Sequence, residues 1–268
     1  MLNDFRLTEL RAAQPLVHCI SNIVTANDCA NLVLAAGGSP IMAQAPEEMA
    51  EIAAAAAAVV LNTGTPDAEK FRACRLAGQA ARAAGRPIVL DPVGVGASRW
   101  RLTQVAALLE AAPPAILRAN LGEAQALLGV CGAEQGVDSL AAAGADVRRA
   151  AAMALARQQH TVVLLSGPAD LVTDGAACWQ ITGGSALTRS ITGAGCMLSV
   201  LCGAFAAVEP RPMQAAALAA SFWKACAAEA KQAAAGRGLG SFHAALFDAA
   251  GSMTPGRLHR HTALQALD

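Results

Sequence analysis

Gly183–Leu198 reads GGSALTRSITGAGCML, and the rest of the chain is expected to be organised around this stretch. It joins a double-glycine turn, a short segment with Thr188 and Arg189, and the loop TGAGC (192–196), and the apolar segment Met197–Val208 follows at once. A glycine loop that opens a buried helix presents free backbone N–H groups and the positive end of the helix dipole. The stretch therefore predicts an anion site, most often one for phosphate. An ordinary tight turn before a core helix explains the same residues equally well, because short glycine patterns are weak signals.

The composition is that of an apolar chain with little charge. Of 268 residues, 54% are hydrophobic and 15% charged, and the formal net charge is zero. This composition predicts that part of the protein surface is covered in a homo-oligomer. With no net positive charge and no basic run, nucleic-acid binding by phosphate neutralisation is not expected.

The N-terminus and the cysteines predict a cytoplasmic protein. Residues 1–15 lack the continuous apolar core of a signal peptide. Neither Ile52–Leu61 nor Met197–Val208 reaches the ~20 residues that a membrane-spanning helix needs, so no membrane contact is expected. The eight cysteines form no CxxC pair and mostly lie in apolar runs, which is typical of reduced thiols in the cytosol.

Short apolar strands alternate with helical segments through the first two-thirds of the chain. LVHCI (16–20), PIVLD (87–91) and TVVLLS (161–166) are typical of buried strands, and Asp67–Ala84 has a helical pattern closed by Gly85. The alternation predicts an α/β fold with a mostly parallel sheet flanked by helices, a helical C-terminal third, and one domain over 1–268. Further strands are expected at 40–43, 59–62 and 115–119, and a hairpin at 171–173 and 177–181. Further helices are expected at 25–36, 46–58, 123–128, 146–159, 196–208, 213–235 and 241–250. No structure is predicted for 252–268.

Polar residues follow most of the apolar runs. In a parallel sheet, ligands bind beyond the carboxyl ends of the strands. That rule selects Asn22, Asn62, Asp91, Arg118–Asn120 and Ser166 as candidates for a site.

Two acids and one arginine carry the clearest chemistry. Asp91 precedes a glycine-containing turn, where an acid either binds Mg²⁺, directly or through water, or caps the turn. Arg118 offers a fixed cationic fork that suits phosphate oxygens. Glu123 stands three residues after Asn120, so it either completes a capping box or joins Asp91 in a metal shell. The residues alone leave both interpretations of each acid open.

Cys196 ends the glycine loop. The helix dipole and unpaired N–H groups there predict a lowered thiol pKa. The thiol is then a nucleophile, a proton acceptor or only a small residue beside the anion hole, and composition does not separate these roles. His18 is expected to be a structural residue of its strand, and Met42 a core residue unless the pocket is apolar. The five histidines show no metal-ligand spacing, so zinc is not expected.

Six stretches, in the same order, resemble hydroxyethylthiazole kinase of thiamine salvage, a member of the ribokinase-like superfamily. Together they cover most of 15–205 and are far more specific than any single motif, whereas the C-terminal third matches only in its helical character. The stretches are PLVHCISNIVTAN (15–27), GGSPIMAQAPEEM (37–49), LNTGT (61–65), PIVLDPVGVGAS (87–98), ILRANLGE (116–123) and ALTRSITGAGCMLSVLCGAF (186–205).

The resemblance implies an enzyme that uses ATP and Mg²⁺ to phosphorylate the primary alcohol of 4-methyl-5-(2-hydroxyethyl)thiazole. It also implies a homotrimer whose active site is completed by a neighbouring subunit. By the same resemblance, the Mg²⁺ environment contains Asp91 and Glu123, and the anion hole is formed by Gly193–Cys196. The residues implied to bind the thiazole alcohol are Asn22, Met42 and Gly193. The residues implied to bind ATP are Arg118, Ser166, Thr188, Thr192 and Gly195.

Cys196 occupies the place where many ribokinase-like sugar kinases have an aspartate base. Because phosphoryl transfer proceeds through a loose transition state, positioning and charge neutralisation do most of the work. The hydroxyl then needs only a weak proton acceptor. We therefore expect Cys196 to lie near the attacking hydroxyl and to contribute modestly to catalysis.

Three other functions are alternatives to this one. A hydroxymethylpyrimidine kinase has a similar loop, but the segments VHCISN (17–22) and SPIMA (39–43) argue against it. Cys196 in place of aspartate argues against an ATP- or ADP-dependent dehydratase of hydrated nicotinamide nucleotides. The intact Asp91, Arg118, Glu123 and glycine loop argue against a non-catalytic nucleotide-binding regulator.

Overall fold

The computed structural model describes residues 5–130 and 144–267, and their nine strands form one sheet. The strands are β1 (Leu16–Ile20), β2 (Ser39–Ile41), β3 (Ala58–Asn62), β4 (Ile88–Asp91), β5 (Ile116–Ala119), β6 (Val162–Leu165), β7 (Asp170–Thr173), β8 (Cys178–Gly183) and β9 (Thr262–Leu267). The helices described are α1 (Phe5–Ala13), α2 (Ala26–Ala36), α3 (Met49–Ala55), α4 (Ala68–Ala83), α5 (Arg99–Ala111), α6 (Leu121–Leu127), α7 (Ala145–Gln159), α8 (Ala194–Ala206), α9 (Pro212–Ala233), α10 (Leu239–Ser252) and α11 (Pro255–His261).

The sheet has a parallel part and an antiparallel part. Strands β2, β1, β3, β4, β5 and β6 lie side by side and run parallel, which confirms the predicted α/β fold. The predicted hairpin is present as the antiparallel pair β7–β8. Its turn is formed by Asp174, whose side chain accepts the N–H groups of Ala176 and Ala177, and by Gly175 at φ +90°.

Helices cover both faces of the sheet. Helices α3 to α7 pack on one face, and α2, α8, α9 and α10 pack on the other. Helix α8 lies between the sheet and other helices, so every residue from Cys196 to Ala206 is buried. This explains why the segment is apolar all round rather than along one stripe.

Some expected elements differ in the structure. The prediction that 46–58 is one helix is wrong: a 3-10 turn (Pro46–Glu48) precedes α3, and Ala58 already pairs with Val17 in the sheet. The alanine run favours helix locally, but burial of Ala58 against its neighbouring strand decides for β3. Helices α1 and α5 and the C-terminal pair α11–β9 were not predicted.

Two further observations concern the cysteines and the membrane. Every cysteine within the described ranges is a free, buried thiol, and Cys131 lies outside those ranges. Across residues 5–130 and 144–267, no helix combines the length and the hydropathy needed to cross a membrane.

Candidate active site

Five polar side chains form a continuous hydrogen-bonded row along the carboxyl ends of the parallel strands. Asn22 Nδ2 donates to Asn62 Oδ1 at 3.3 Å, and Asn62 Nδ2 donates to Asp91 Oδ2 at 3.0 Å. Arg118 Nη1 donates to Asp91 Oδ1 at 3.2 Å, and Arg118 Nη2 donates to Ser166 Oγ at 2.7 Å. We call Asn22, Asn62, Asp91, Arg118 and Ser166 the polar row. All five are among the strand-end residues that the sequence selected, and they are joined across β1, β3, β4, β5 and β6.

Asp91 is the centre of the row and is fully buried. Besides its bonds within the row, Oδ2 accepts a hydrogen bond from Ser199 Oγ at 2.7 Å. Ser199 lies on α8, so this bond ties the buried helix to the end of β4. Each oxygen of the Asp91 carboxylate is thereby held by the protein in one orientation.

Arg118 forms a buried ion pair with Asp91. Burial opposes the charge of the guanidinium, but the carboxylates of Asp91 and Glu123 outweigh it, so the pKa of Arg118 is raised above its usual value. Its Nε is buried without a hydrogen-bond partner. Gly195 lies directly against the guanidinium, because a Cβ at this position would approach Arg118 Nη2 to 2.3 Å. A side chain at position 195 would displace the guanidinium, so glycine lets the first turn of α8 lie directly against the arginine.

Gly193 precedes α8, and both its backbone conformation and its surroundings favour glycine at this position. Its φ of +81° lies in the left-handed region that favours glycine. A Cβ here would also come within 2.3 Å of Thr25 Cγ2. The end of the β1–α2 connection therefore packs tightly against the loop that opens α8.

Cys196 lies in the first turn of α8 and is 7% exposed. Its Sγ accepts a hydrogen bond from Asn22 Nδ2 at 3.1 Å. The prediction of a lowered thiol pKa is wrong: burial, reinforced by the charge of Asp91, raises the pKa of Cys196 above its usual value. Hydrogen bonds and the Arg118 charge oppose this rise but do not overcome it. The thiol is consequently protonated at neutral pH.

Asn22 links the row to the opening of α2. Its Oδ1 accepts the N–H groups of Val24 and Thr25, both at 3.1 Å. The half-buried Met42 follows β2, which pairs with β1, and packs against the same core as α8. His18 lies in β1, and its Nε2–H donates to the carbonyl of Ala43 at 2.9 Å, which holds the chain beside Met42.

Glu123 completes the capping box that its spacing suggested. Asn120 Oδ1 accepts Glu123 N–H at 2.9 Å, and Glu123 Oε2 accepts Asn120 N–H at 2.9 Å. Its other oxygen accepts Gly94 N–H at 3.1 Å, which joins the loop after β4 to the start of α6. Burial raises the pKa of Glu123, although the charge of Arg118 opposes the rise.

The remaining candidates lie around this network. Ser166 is half-buried and belongs to the row, as described above. Thr188 lies in a 3-10 turn (Ala186–Ser190), where its hydroxyl donates to the Ser185 carbonyl at 2.8 Å, and Thr192 is exposed. In the part of the chain that the structure describes, no hydrogen bond joins Met42, Thr188 or Thr192 to the polar row.

Several contributing side chains escaped the sequence analysis. Asn62 was selected as a strand-end residue but received no role, and Ser199 and Thr25 were not selected. Ser199 stands four residues after Gly195 in an otherwise apolar helix, and that isolated polar position was the available signal. Lys70 was also missed: its buried ammonium donates to the carbonyls of Ser21, at 2.8 Å, and Gly64.

The fold that carries the polar row and the glycine loop at the start of α8 is that of the ribokinase-like class of kinases. The pyridoxal kinase from Staphylococcus aureus has a similar fold, with a TM-score of 0.62 at 16% identity, covering 94% of this chain and 97% of that one. A hydroxyethylthiazole kinase structure from Pyrococcus horikoshii OT3 is much more similar, with a TM-score of 0.88 at 34% identity over 99% of this chain and 98% of that one.

Sequence comparison gives the particular family. A model of the hydroxyethylthiazole kinase family matches residues 7–255. A hydroxyethylthiazole kinase from Nitratidesulfovibrio vulgaris is 47% identical, covering 87% of each chain. One from Methanoculleus marisnigri is 42% identical, covering 97% of this chain and 91% of that one. This chain belongs to the hydroxyethylthiazole kinase family.

Proposed function

We propose that this protein transfers a phosphoryl group from ATP to the primary alcohol of 4-methyl-5-(2-hydroxyethyl)thiazole and yields its phosphate. Membership of the hydroxyethylthiazole kinase family supports this reaction. The observation that carries it is the polar row, which lies under the glycine-opened N-terminus of α8. A helix N-terminus beside a buried arginine is an environment suited to a phosphoryl group.

The acceptor is proposed to bind at the Asn22 end of the row, against Met42 and Gly193. This end carries amides and a protonated thiol but no charged side chain within the row. Amide groups suit an uncharged alcohol, and the half-buried Met42 offers apolar surface to a heterocycle. The acceptor hydroxyl would then lie near Cys196.

ATP is proposed to bind at the opposite end. Arg118 is the group that meets its phosphates, Gly195 and the first turn of α8 supply N–H donors, and Ser166 presents its hydroxyl beside the guanidinium. Thr188 and Thr192, on the segment that leads into α8, are proposed as additional hydroxyl contacts. Fixed donors aimed at the transferred group stabilise the transition state because they need no reorganisation during the reaction.

Mg²⁺ is proposed to bind near Asp91 and Glu123. In the ranges that the structure describes, no three or more His, Cys, Asp and Glu side chains are grouped closely enough to hold a metal. Both carboxylates already accept hydrogen bonds from the protein. These residues fit an ion held through water and through the phosphates of ATP, which is the usual mode for Mg²⁺. When bound, the ion would neutralise charge on the transferred phosphate.

Cys196 is proposed to act as a neighbour of the attacking hydroxyl rather than as a preformed base. Its thiol is neutral because its pKa is raised by burial. In a loose transition state the hydroxyl proton is lost late, so an ionised acceptor is not required at the start. Cys196 and Asn22 contact each other. The proposed role of the thiol is therefore to hold the hydroxyl in place together with the Asn22 amide.

The protein is further proposed to form a homotrimer with the acceptor site at the subunit interface. Ile23 is 84% exposed and Val24 is 63% exposed, directly beside Asn22. Apolar side chains exposed at the mouth of a site gain from coverage by a second subunit. A monomer mass by light scattering at micromolar concentration would contradict this proposal.

The domain organisation and the cellular location of the protein are also proposed. Residues 1–268 are proposed to form one domain, because a single sheet extends from β2 to β9. The cytoplasm is proposed as the location, since that compartment keeps thiols reduced and every described cysteine is free.

A coupled ADP-release assay tests the reaction. Parallel arms contain 4-methyl-5-(2-hydroxyethyl)thiazole, hydroxymethylpyrimidine, a hydrated nicotinamide nucleotide, or no acceptor. We expect ADP release that depends on the thiazole alcohol and on added Mg²⁺. Equal release without acceptor, or faster release with the pyrimidine alcohol, would overturn the proposal.

A further inference from the structure

A second buried ion pair lies at the end of the polar row. Lys224, on α9, faces Asp170, at the start of β7, with Nζ and Oδ2 3.4 Å apart. The two side chains are only 8% and 4% exposed. Burying both charges is costly unless geometry and additional hydrogen bonds compensate, so such a pair is weak evidence for stability alone. The contacts that this ion pair makes with its surroundings are therefore more informative than the pair itself.

The pair holds the loop that follows Ser166. Asp170 Oδ1 accepts Gly167 N–H at 2.8 Å. Lys224 Nζ donates to the Pro168 carbonyl at 3.1 Å and to the Gly167 carbonyl at 3.4 Å. Gly167 and Pro168 are themselves exposed, so the loop is fixed from beneath while its outer surface stays open.

Neighbouring contacts place this loop among the proposed nucleotide-binding segments. Ser166 immediately precedes it and accepts the hydrogen bond of Arg118. Arg148 donates to the Ala169 carbonyl at 2.9 Å and anchors the other side of the loop. Gly184, which leads to the Thr188 turn, packs against the Lys224 stem, since a Cβ there would lie 3.3 Å from Lys224 Cγ.

The ammonium of Lys224 has three hydrogens. Asp170 and the two loop carbonyls provide three partners for them. The side chain therefore has no donor left for a bound nucleotide. Its effect on ligand binding must pass through the backbone that it holds.

We propose that Lys224, together with Asp170, is a positioning residue that sets the loop 166–169 as the floor of the ATP site. This inference rests on the proposed use of ATP. Loss of Lys224 should weaken the binding of ATP selectively, because the acceptor end of the polar row is held by other contacts. Lys70 performs the corresponding task there: its buried ammonium donates to the carbonyls of Ser21 and Gly64.

The test compares Lys224→Met with Lys70→Met, which removes a similarly buried ammonium from the other end. Each variant is checked for folding by circular dichroism. Binding of ATP is measured calorimetrically without acceptor, and KM values for ATP and for the thiazole alcohol are measured by ADP release.

For Lys224→Met we expect the Kd and KM for ATP to rise about tenfold, the equivalent of one charge-assisted hydrogen bond. The KM for the alcohol should stay within about twofold by the additivity of separated sites. Lys224→Arg, which keeps the charge, should restore much of the ATP affinity. Lys70→Met should leave the Kd for ATP near the wild-type value. If Lys224→Met does not fold, Asp170→Asn carries the same expectation, since it weakens the same clamp.

An unchanged Kd for ATP in folded Lys224→Met or Asp170→Asn would overturn the inference. So would equal losses of ATP affinity in the Lys224 and Lys70 variants, because a purely structural role predicts no selectivity. Failure of the proposed reaction is seen separately: the wild-type protein would then bind ATP but release no ADP in response to the alcohol.

Discussion

The polar row has two halves that differ in charge. The amide half consists of Asn22 and Asn62, and Cys196, outside the row, accepts a hydrogen bond from Asn22. None of these three side chains is ionised at neutral pH. The charged half consists of Asp91 and Arg118, with Ser166 at its end. Asn62 meets Asp91 at 3.0 Å, so the halves are continuous, and the change from amide to ion occurs between neighbouring strands β3 and β4.

On the proposed function, this difference in charge would let one edge of the sheet bind two unlike ligands. An uncharged alcohol needs orientation, which amides provide without a strong field. A polyphosphate needs charge compensation, which a buried arginine provides more strongly than an exposed one because the local dielectric is low. Substitutions in the two halves should therefore produce different kinetic defects.

The largest effect is expected from Arg118→Met in the charged half. We expect kcat/KM to fall by about 10³, the scale of an arginine that stabilises phosphoryl transfer. Leaving Asp91 buried and unpaired should also lower the free energy of unfolding by about 3–5 kcal/mol. ADP release and urea unfolding measure the two effects. Arg118→Lys is the control, since it keeps the charge but loses the fork to Asp91 and Ser166. Activity within tenfold of wild type would contradict the assignment.

A smaller and more selective effect is expected from Asn22→Ala in the amide half. We expect the KM for the thiazole alcohol to rise about 10-fold to 100-fold, because buried hydrogen-bond partners lose their donor. The KM for ATP should change little. Asn22→Asp separates two causes, because it keeps the acceptor for the Val24 and Thr25 N–H groups but loses the donor to Cys196. Equal rises in both KM values would remove the distinction between the halves.

Gly193→Ala tests the loop above the amide half. The left-handed backbone alone should cost about 1–2 kcal/mol of folding stability. The contact of the new Cβ with Thr25 Cγ2 adds to this. The double variant Gly193→Ala/Thr25→Ser removes that methyl and should recover part of the loss in urea unfolding. No recovery would mean that the backbone dihedral and the 2.9 Å approach to the Cβ of residue 25, which serine keeps, account for the whole effect.

Cys196→Ser should reduce kcat by less than about tenfold, a smaller factor than general-base catalysis usually provides. The serine hydroxyl can still accept the hydrogen bond from Asn22. Cys196→Asp should turn over faster than wild type, because a carboxylate is a better proton acceptor than a neutral thiol. Both are measured as kcat at saturating ATP and alcohol. Complete loss of turnover in Cys196→Ser, with both ligands still bound, would show that the contribution is not modest.

The last prediction concerns the dependence of folding stability on pH. Burial raises the pKa of Cys29 and of Cys74 from 9.0 to about 12. Between these values the unfolded chain releases thiol protons that the folded chain keeps, so stability is fully present below about pH 9 and declines as pH rises toward about 12. Urea unfolding at pH 8 and pH 10 should detect the decline. Cys29→Ala, which removes one such thiol beside Thr25, should lessen it, and an unchanged slope would contradict this cause.

Much of the fold could be predicted because its signals are local. Apolar runs such as PIVLD, the Asp174–Gly175 turn and the strand-helix alternation all act within a few residues. Helix α5 was missed although Ser98 caps it, because only Val105, Leu108 and Leu109 of its residues are buried and the apolar stripe is narrow. Strand β9 was missed because its sheet partner β8 is about 80 residues away along the chain, and strand pairing depends on such distant contacts.

The features of the candidate site also fall into two groups, those that follow from local sequence and those that depend on tertiary contacts. The sequence by itself determined which polar residues stand at the strand ends, because the place where an apolar run stops is a local property. Only the tertiary structure decided that these residues form one hydrogen-bonded row, that Lys224 clamps a loop 56 residues away, and that the Cys196 thiol keeps its proton. The reason is physical: the helix dipole that favours a thiolate follows from local sequence, whereas the burial that opposes it follows from the packing of distant segments.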